Sequence, residues 1–166
     1  MHNLTAIRDE RDVVVRHIFD SLAIADLITN RTVIDVGSGG GLPGIPLAIC
    51  LPEKHFTLLD INAKKTSFLN QVVIELQLSN VKVVQARVEE FVDSHFDHVL
   101  CRAFASLQDI ADKMDHLLGE QGNILAMKGK EEALESAATV KVVSVSALDV
   151  PLLDADRCVI ELRRAG

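Results

Sequence analysis

The chain has 166 residues, 48% of them apolar, and a formal net charge of -7 at pH 7. That length supports one core-bearing domain and leaves no room for a second catalytic one. An acidic balance without any tract of consecutive basic residues excludes charge-driven adhesion to nucleic acid or to an anionic membrane, so any nucleic-acid contact must be local.

From Asp9 to about Thr29, the residues Val14, Ile18, Leu22 and Ala25 recur at helical spacing behind Asp9 as a cap, which predicts a helix with one apolar face, packed on or covering a sheet. Five short apolar runs follow: TVIDV (32–36), HFTLLD (55–60), VKVVQA (81–86), FDHVLC (96–101) and GNILAM (122–127). Each has the length and β-branched content of a buried parallel strand. Helical patterns separate them, at Gly44 to Leu51, Ala63 to Leu78 and Ser106 to Leu118, with Asn62 and Ser106 at N-cap positions. A polar helix at about 130–138 leads to VKVVSVSAL and DRCVIELRR, two strand-like runs with no long helix between them. They read as a terminal antiparallel pair. The fold class is α/β, a single Rossmann-like, doubly wound domain over 1–166, mostly parallel with an antiparallel end.

The segment VIDVGSGGGLPGIPLA joins the first strand to the next helix, and five of the eight positions from Gly37 to Gly44 are glycine. Glycine lets the backbone take positive φ and lets a ligand approach without meeting a Cβ. Two ligand classes compete for such a loop. Gly39, Gly41 and Gly44 satisfy the dinucleotide pattern G-x-G-x-x-G, with Asp60 ending the next strand where a ribose-binding acid belongs. Read two residues earlier, Asp35, Gly37, Gly39 and Gly41 instead resemble motif I of the class I S-adenosylmethionine-dependent methyltransferases. A dinucleotide needs helix-terminal N–H groups for its pyrophosphate, and Pro43 and Pro46 remove two of those donors. S-Adenosylmethionine has no phosphate and carries an ammonium that seeks acceptors, which Asp35 or the loop carbonyls supply. The chemistry favours the methyl donor. Asp60 is placed to accept both ribose hydroxyls, a role favoured over capping the helix from Asn62 onward.

After the third strand, Ala86 to Glu90 falls where this fold frames an adenine; Glu89 and Glu90 also suit a solvated first helical turn. Arg102 ends the fourth strand, facing the transferable group. Along the first helix, beside Arg16, the residues His17, Asp20 and Ser21 share a polar face opposite the apolar stripe, to contact RNA or to anchor the helix. Lys64, Lys65, Lys128 and Lys130 follow strand ends on the ligand side and suit either phosphates or solvent. His95 and His98 lie three apart, and the other histidines lack ligand-like company, so no metal is expected. Cys50, Cys101 and Cys158 sit apart among apolar neighbours and read as buried, reduced thiols. The N-terminus lacks the apolar core of a signal peptide, and no run approaches the roughly 18 residues of a spanning helix. A soluble, cytoplasmic protein is expected.

Several motifs in register carry a closer resemblance: NLT (3–5), RHIFDS (16–21), the glycine segment, LLD with Lys64 and Lys65, RVEEF (87–91), CRAFASL (101–107) and MKG (127–129). Together they resemble the RsmG, or GidB, family of bacterial 16S rRNA guanine-N7 methyltransferases, over essentially the whole chain. The resemblance implies a class I methyltransferase fold, S-adenosylmethionine as donor, and 16S rRNA as substrate; the acidic balance adds small-subunit particles, rather than free RNA, as the expected partner, and a monomer is expected. It places cofactor contacts on Gly37, Leu42, Val88, Glu89 and Arg102; the general fold adds Asp60, Asp35 and Gly39. Arg16, His17, Asp20, Ser21 and Lys128 become candidates for RNA contact. The family carries helical residues ahead of NLT, and this sequence starts two residues before it; either a substrate-covering segment is absent or the start is truncated, which bears on RNA affinity and stability. Guanine N7 presents a lone pair and no proton, so no catalytic acid or base is assigned and Arg102 is read as a positioning residue. A class I methyltransferase acting on a small molecule or protein, and a binding module without activity, are the other functions compatible with the loop.

Overall fold

Buried residues alternate along each central strand between two faces, as the pleat requires. The computed structural model describes residues 14–92, 95–102, 106–129 and 139–165. The strands are β1 (Thr32–Val36), β2 (His55–Asp60), β3 (Val81–Gln85), β4 (Phe96–Arg102), β5 (Leu118–Lys128), β6 (Val140–Ala147) and β7 (Cys158–Arg164). Their order in the sheet is β3-β2-β1-β4-β5-β7-β6. β1 to β5 pair in parallel, while β7 runs antiparallel to both β5 and β6. β1 pairs with both β2 and β4, so the chain changes direction across the sheet at the carboxyl ends of β1 and β4, where open α/β sheets hold ligands.

Among the described residues, four α-helices accompany the strands: α1 (Asp20–Leu22), α2 (Gly44–Cys50), α3 (Ala63–Glu75) and α4 (Leu107–Met114). On one face, Ile34, Val36, Val99 and Ile124 pack against Leu107, Ile110 and Met114 of α4. On the other, Val33, Phe56, Leu100 and Leu125 pack against Leu47 and Ala48 of α2, and Leu58 meets Leu69 of α3. Each fully buried Leu, Ile or Phe contributes about 1.5–3 kcal/mol, so these two layers hold the sheet edge rigid beneath the loops. Asn62 caps α3 by accepting from the N–H groups of Lys64 and Lys65, and Ser106 caps α4 by accepting from Asp109 N–H.

Three expectations are revised by packing. The N-terminal helix is broken: Val14–Phe19 is wound as a π-helix, α1 is one turn, and a 3-10 turn follows at Ala25–Leu27. Its expected apolar stripe is rotated, with Val14 43% exposed while Asp20 and Ser21 are buried. The wide winding and the ion pairs of Asp20 described below draw the polar residues inward. Second, β5 starts at Leu118, four residues before the expected strand, because Leu118 pairs with Phe96 across an irregular register. Third, Cys50 is exposed at the end of α2, while Cys101 and Cys158 are buried. Asp9 and the polar helix expected at about 130–138 lie outside the described residues. No helix of the described residues is long and apolar enough to cross a membrane.

Candidate functional site

The glycine loop is held by two buried carboxylates, one from each flanking strand. Asp35 of β1 accepts from Gly44 N–H at 3.0 Å through Oδ2. Asp60 of β2 accepts from Gly39 N–H at 2.9 Å through Oδ2 and from Asn62 N–H at 2.8 Å through Oδ1. Asp60 therefore organises both the loop and the entry to α3. Lys65 Nζ also lies 3.9 Å from Oδ2, while Oδ1 has a second acceptor site, so the backbone bonds do not exhaust the carboxylate. Burial pushes the Asp35 carboxyl up to about 7 against the pull of the Gly44 N–H and of the Arg102 charge.

The first turn of α2 has no donors to spare. Gly44 N–H goes to Asp35, Ile45 N–H to the Gly41 carbonyl, Leu47 N–H to the Pro43 carbonyl, and Pro46 has none. A pyrophosphate would find no cradle there, which removes the dinucleotide reading on geometry.

Beside the loop, a cleft of about 360 Å³ opens at the carboxyl ends of β1, β2 and β3. Val36, Leu59, Ile61, Ala86 and Val88 form its apolar walls, and Gly37, Asp60 and Glu89 line it too. Gly37 has φ +72°, and a Cβ built on it meets no atom within 4 Å. The protein's own packing leaves that space open, which suits a ligand lying along the loop. An apolar slot with a carboxylate at one edge matches the base and diol of an adenosine. Val88 sits in a 3-10 turn, Val88–Glu90, whose carbonyl at Val88 meets His116 Nε2 at 3.1 Å.

Of the expected cofactor residues, Gly37, Asp60, Val88 and Glu89 meet in this cleft. Gly39 and the half-buried Leu42 belong to the loop behind it: Leu42 N–H bonds the Ser38 carbonyl at 3.2 Å. Asp35 is buried beneath them.

Arg102 lies elsewhere. With Asp20, Met127, Lys128, Gly129 and Arg157 it lines a second cavity of about 250 Å³ at the ends of β4 and β5. Asp20 Oδ1 receives Arg157 Nε at 2.9 Å, and its Oδ2 lies 3.5 Å from Arg102 Nη2. Ser21 is buried and donates its hydroxyl to the His17 carbonyl. Asp20 and Ser21 thus anchor the N-terminal segment, and the Arg16 side chain lies outside the described residues. Arg157 escaped the sequence reading, although antiparallel pairing of the last strand signals it: Cys158 opposes Lys128, so the preceding residue lands at the ligand edge. Ile61 and Lys113, also on the first cleft, carried no signal beyond their neighbours.

His98 serves the fold. Its Nε2 accepts from Asn30 N–H at 3.1 Å, leaving Nδ1–H to donate to Asn123 Oδ1 at 2.6 Å. No group of three or more metal-binding side chains occurs among the described residues.

A family model described as rRNA small subunit methyltransferase G, GidB, matches residues 1–158. A protein named ribosomal RNA small subunit methyltransferase G from Marinomonas sp. (strain MWYL1) is 50% identical over 99% of this chain and 81% of its own. Its namesake from Shigella flexneri is 48% identical over 98% of this chain and 80% of its own. Among solved structures, a SAM dependent methyltransferase from Aquifex aeolicus superposes with a TM-score of 0.68 at 15% identity, covering 93% of each chain. The mitomycin 7-O-methyltransferase MmcR gives 0.72 at 13% identity, covering 89% of this chain and 54% of its own. At such identities these two structures establish the class I fold alone.

Proposed function

The chain belongs to the rRNA small subunit methyltransferase G family, GidB, and from that membership we infer that it methylates N7 of a guanine in 16S ribosomal RNA. It is an S-adenosylmethionine-dependent rRNA methyltransferase. The observation that carries the reading is the cleft at the β1, β2 and β3 edge, in a chain that matches this family over residues 1–158.

When bound, the donor supplies an electrophilic methyl on a sulfonium sulfur. Guanine N7 attacks with a lone pair and releases no proton, so the chain need supply no general base. Its own residues position and screen. Asp60 accepts ribose hydroxyls on the acceptor sites its backbone bonds leave open, and Val88 and Glu89 hold the base edge. Gly37 keeps the loop wall free of side chain. Gly39, Leu42 and Asp35 act one layer behind, fixing the loop's path. Arg102 positions the reactants from the end of β4. It grips guanine through O6 alone, because a bidentate grip on O6 and N7 would cover the reacting lone pair.

The test is to incubate the protein with methyl-labelled S-adenosylmethionine and small-subunit particles lacking the modification, then map the labelled base. Label at one guanine, lost on Arg102→Ala, is the expected result. Absence of label from RNA overturns the function, and full activity of Arg102→Ala overturns the role given to that arginine.

A further inference from the structure

One wall of the cleft that Gly37 and Asp60 line is a single 3-10 turn, Val88–Glu90. A turn this short has few bonds of its own. They are Glu90 N–H to the Arg87 carbonyl at 3.1 Å and Phe91 N–H to the Val88 carbonyl at 3.3 Å. Beneath the turn, Phe91 joins the core with Leu107, Ile110 and Met114 of α4, and its ring lies 6.3 Å from that of Phe96.

A carbonyl oxygen accepts two hydrogen bonds, and the second one on Val88 comes from outside the turn. His116 Nε2 lies 3.1 Å from that oxygen, so Nε2 carries the proton and donates it. His116 belongs to the 3-10 turn Asp115–Leu117 that follows α4. That turn is clamped from β7, where Arg164 donates from Nε to Asp115 Oδ1 at 2.9 Å and from Nη2 to the Asp115 carbonyl at 2.7 Å. The Leu117 carbonyl accepts His95 N–H at 3.0 Å, and the Leu117 side chain is fully buried. His116 itself is exposed and fills no place in the core. Its ring meets a backbone oxygen of the cleft wall without lining the cleft.

The Val88 carbonyl shares a peptide unit with Glu89 N–H, and in a planar trans peptide the two point in opposite directions. A bond that draws the oxygen toward His116 turns the N–H the other way. Resting on the placement of the donor's base at Val88 and Glu89, we propose that His116 is a positioning residue for S-adenosylmethionine, holding this peptide with its N–H, and not its carbonyl, toward the purine edge. Adenine N1 accepts a hydrogen bond there. Hypoxanthine N1 carries a proton and opposes a facing N–H, so His116 sets which purine the cleft admits as well as how tightly it is held.

The test is calorimetry with S-adenosylhomocysteine and S-inosylhomocysteine on wild type, His116→Ala, His116→Gln, Arg164→Gln and Glu89→Gln. His116→Ala should weaken S-adenosylhomocysteine binding by about three- to tenfold, the worth of one hydrogen bond. S-Inosylhomocysteine should lose less, because the released peptide can turn its carbonyl to the protonated N1, so the preference for adenine narrows by about threefold. His116→Gln returns an N–H donor and should restore most of that preference. Arg164→Gln loosens the turn that carries His116 and should shift the preference the same way by a smaller factor. On small-subunit particles, His116→Ala should raise the KM for S-adenosylmethionine by a factor like that in affinity, with much less change in kcat. An equal loss for both ligands, or no loss for either, overturns the role of His116. Failure of the base placement reads differently: Glu89→Gln with both affinities intact puts the base elsewhere and removes the proposal with it. A preference shifted by Glu89→Gln but not by His116→Ala keeps the placement and overturns His116 alone.

Discussion

Gly37 and Gly41 belong to one loop and are glycine for different reasons. At Gly41, φ is +89° and a Cβ would lie 2.6 Å from Ile45 Cγ1 and 2.9 Å from Leu69 Cδ2, so the core forbids a side chain. At Gly37, φ is +72° but no atom lies within 4 Å of the Cβ position. Gly41→Ala should therefore lose about 2–4 kcal/mol of stability from overpacking and left-handed strain. Gly37→Ala should cost only the strain, about 1–2 kcal/mol, yet lower affinity for S-adenosylhomocysteine by more than tenfold, roughly, if a ligand fills that space. Urea denaturation and calorimetry on both variants read the two effects. Undiminished affinity in Gly37→Ala would mean that this glycine serves the turn alone.

At the scale of elements, Asp35 joins the end of β1 to the start of α2 through Gly44 N–H, and the joint is sensitive to pH. Burial raises its carboxyl from 3.8 to about 7, so between those values the folded chain keeps a proton that the unfolded chain releases. Stability from this group therefore falls as pH rises through that window. His98 works in the opposite direction. Burial holds its pKa below 6.5, so its contribution is complete above 6.5 and is lost as pH falls. Asp35→Asn keeps an acceptor for Gly44 and removes only the first dependence. Its stability relative to wild type should be greater at pH 8 than at pH 5 by roughly 2–3 kcal/mol, measured by denaturant titration at each pH. A difference independent of pH would show that the carboxyl does not titrate with folding.

For the whole molecule, the cleft lined by Gly37 and Asp60 and the cavity lined by Arg102 and Arg157 lie on opposite sides of the reversal of strand order. The chain's charge of -7 opposes long-range attraction to RNA, and a few local cations supply little sequence-independent affinity. Recognition then depends on the shape of a folded target. Methylation should be faster on assembled small-subunit particles than on naked 16S rRNA at matched salt. Equal turnover on both would place recognition in the local RNA sequence.

Much of this was legible in the chain itself. Short β-branched runs separated by helical periods specify a parallel sheet because burial on both faces needs continuous apolar strands, and the observed β1 and β2 have the expected limits, 32–36 and 55–60. Gly37, Asp60, Val88 and Glu89 could be named beforehand because each lies at or shortly after the carboxyl end of a strand, and parallel strands bring such positions to one edge. The fold, four residues that meet in one cleft and, through motifs in register, the family are therefore specified by the chain alone. The direction of the N-terminal segment's polar face was not legible, because helical periodicity reports which residues share a face and not which face meets the sheet. Only tertiary structure decided that Asp20 turns inward, where residues 102 and 157, distant in the chain, supply its two guanidiniums. The cavity lined by Arg102 and Arg157 exists only once β4, β5 and the antiparallel β7 lie side by side, because charges far apart along a chain acquire a common field only when folding removes the water between them.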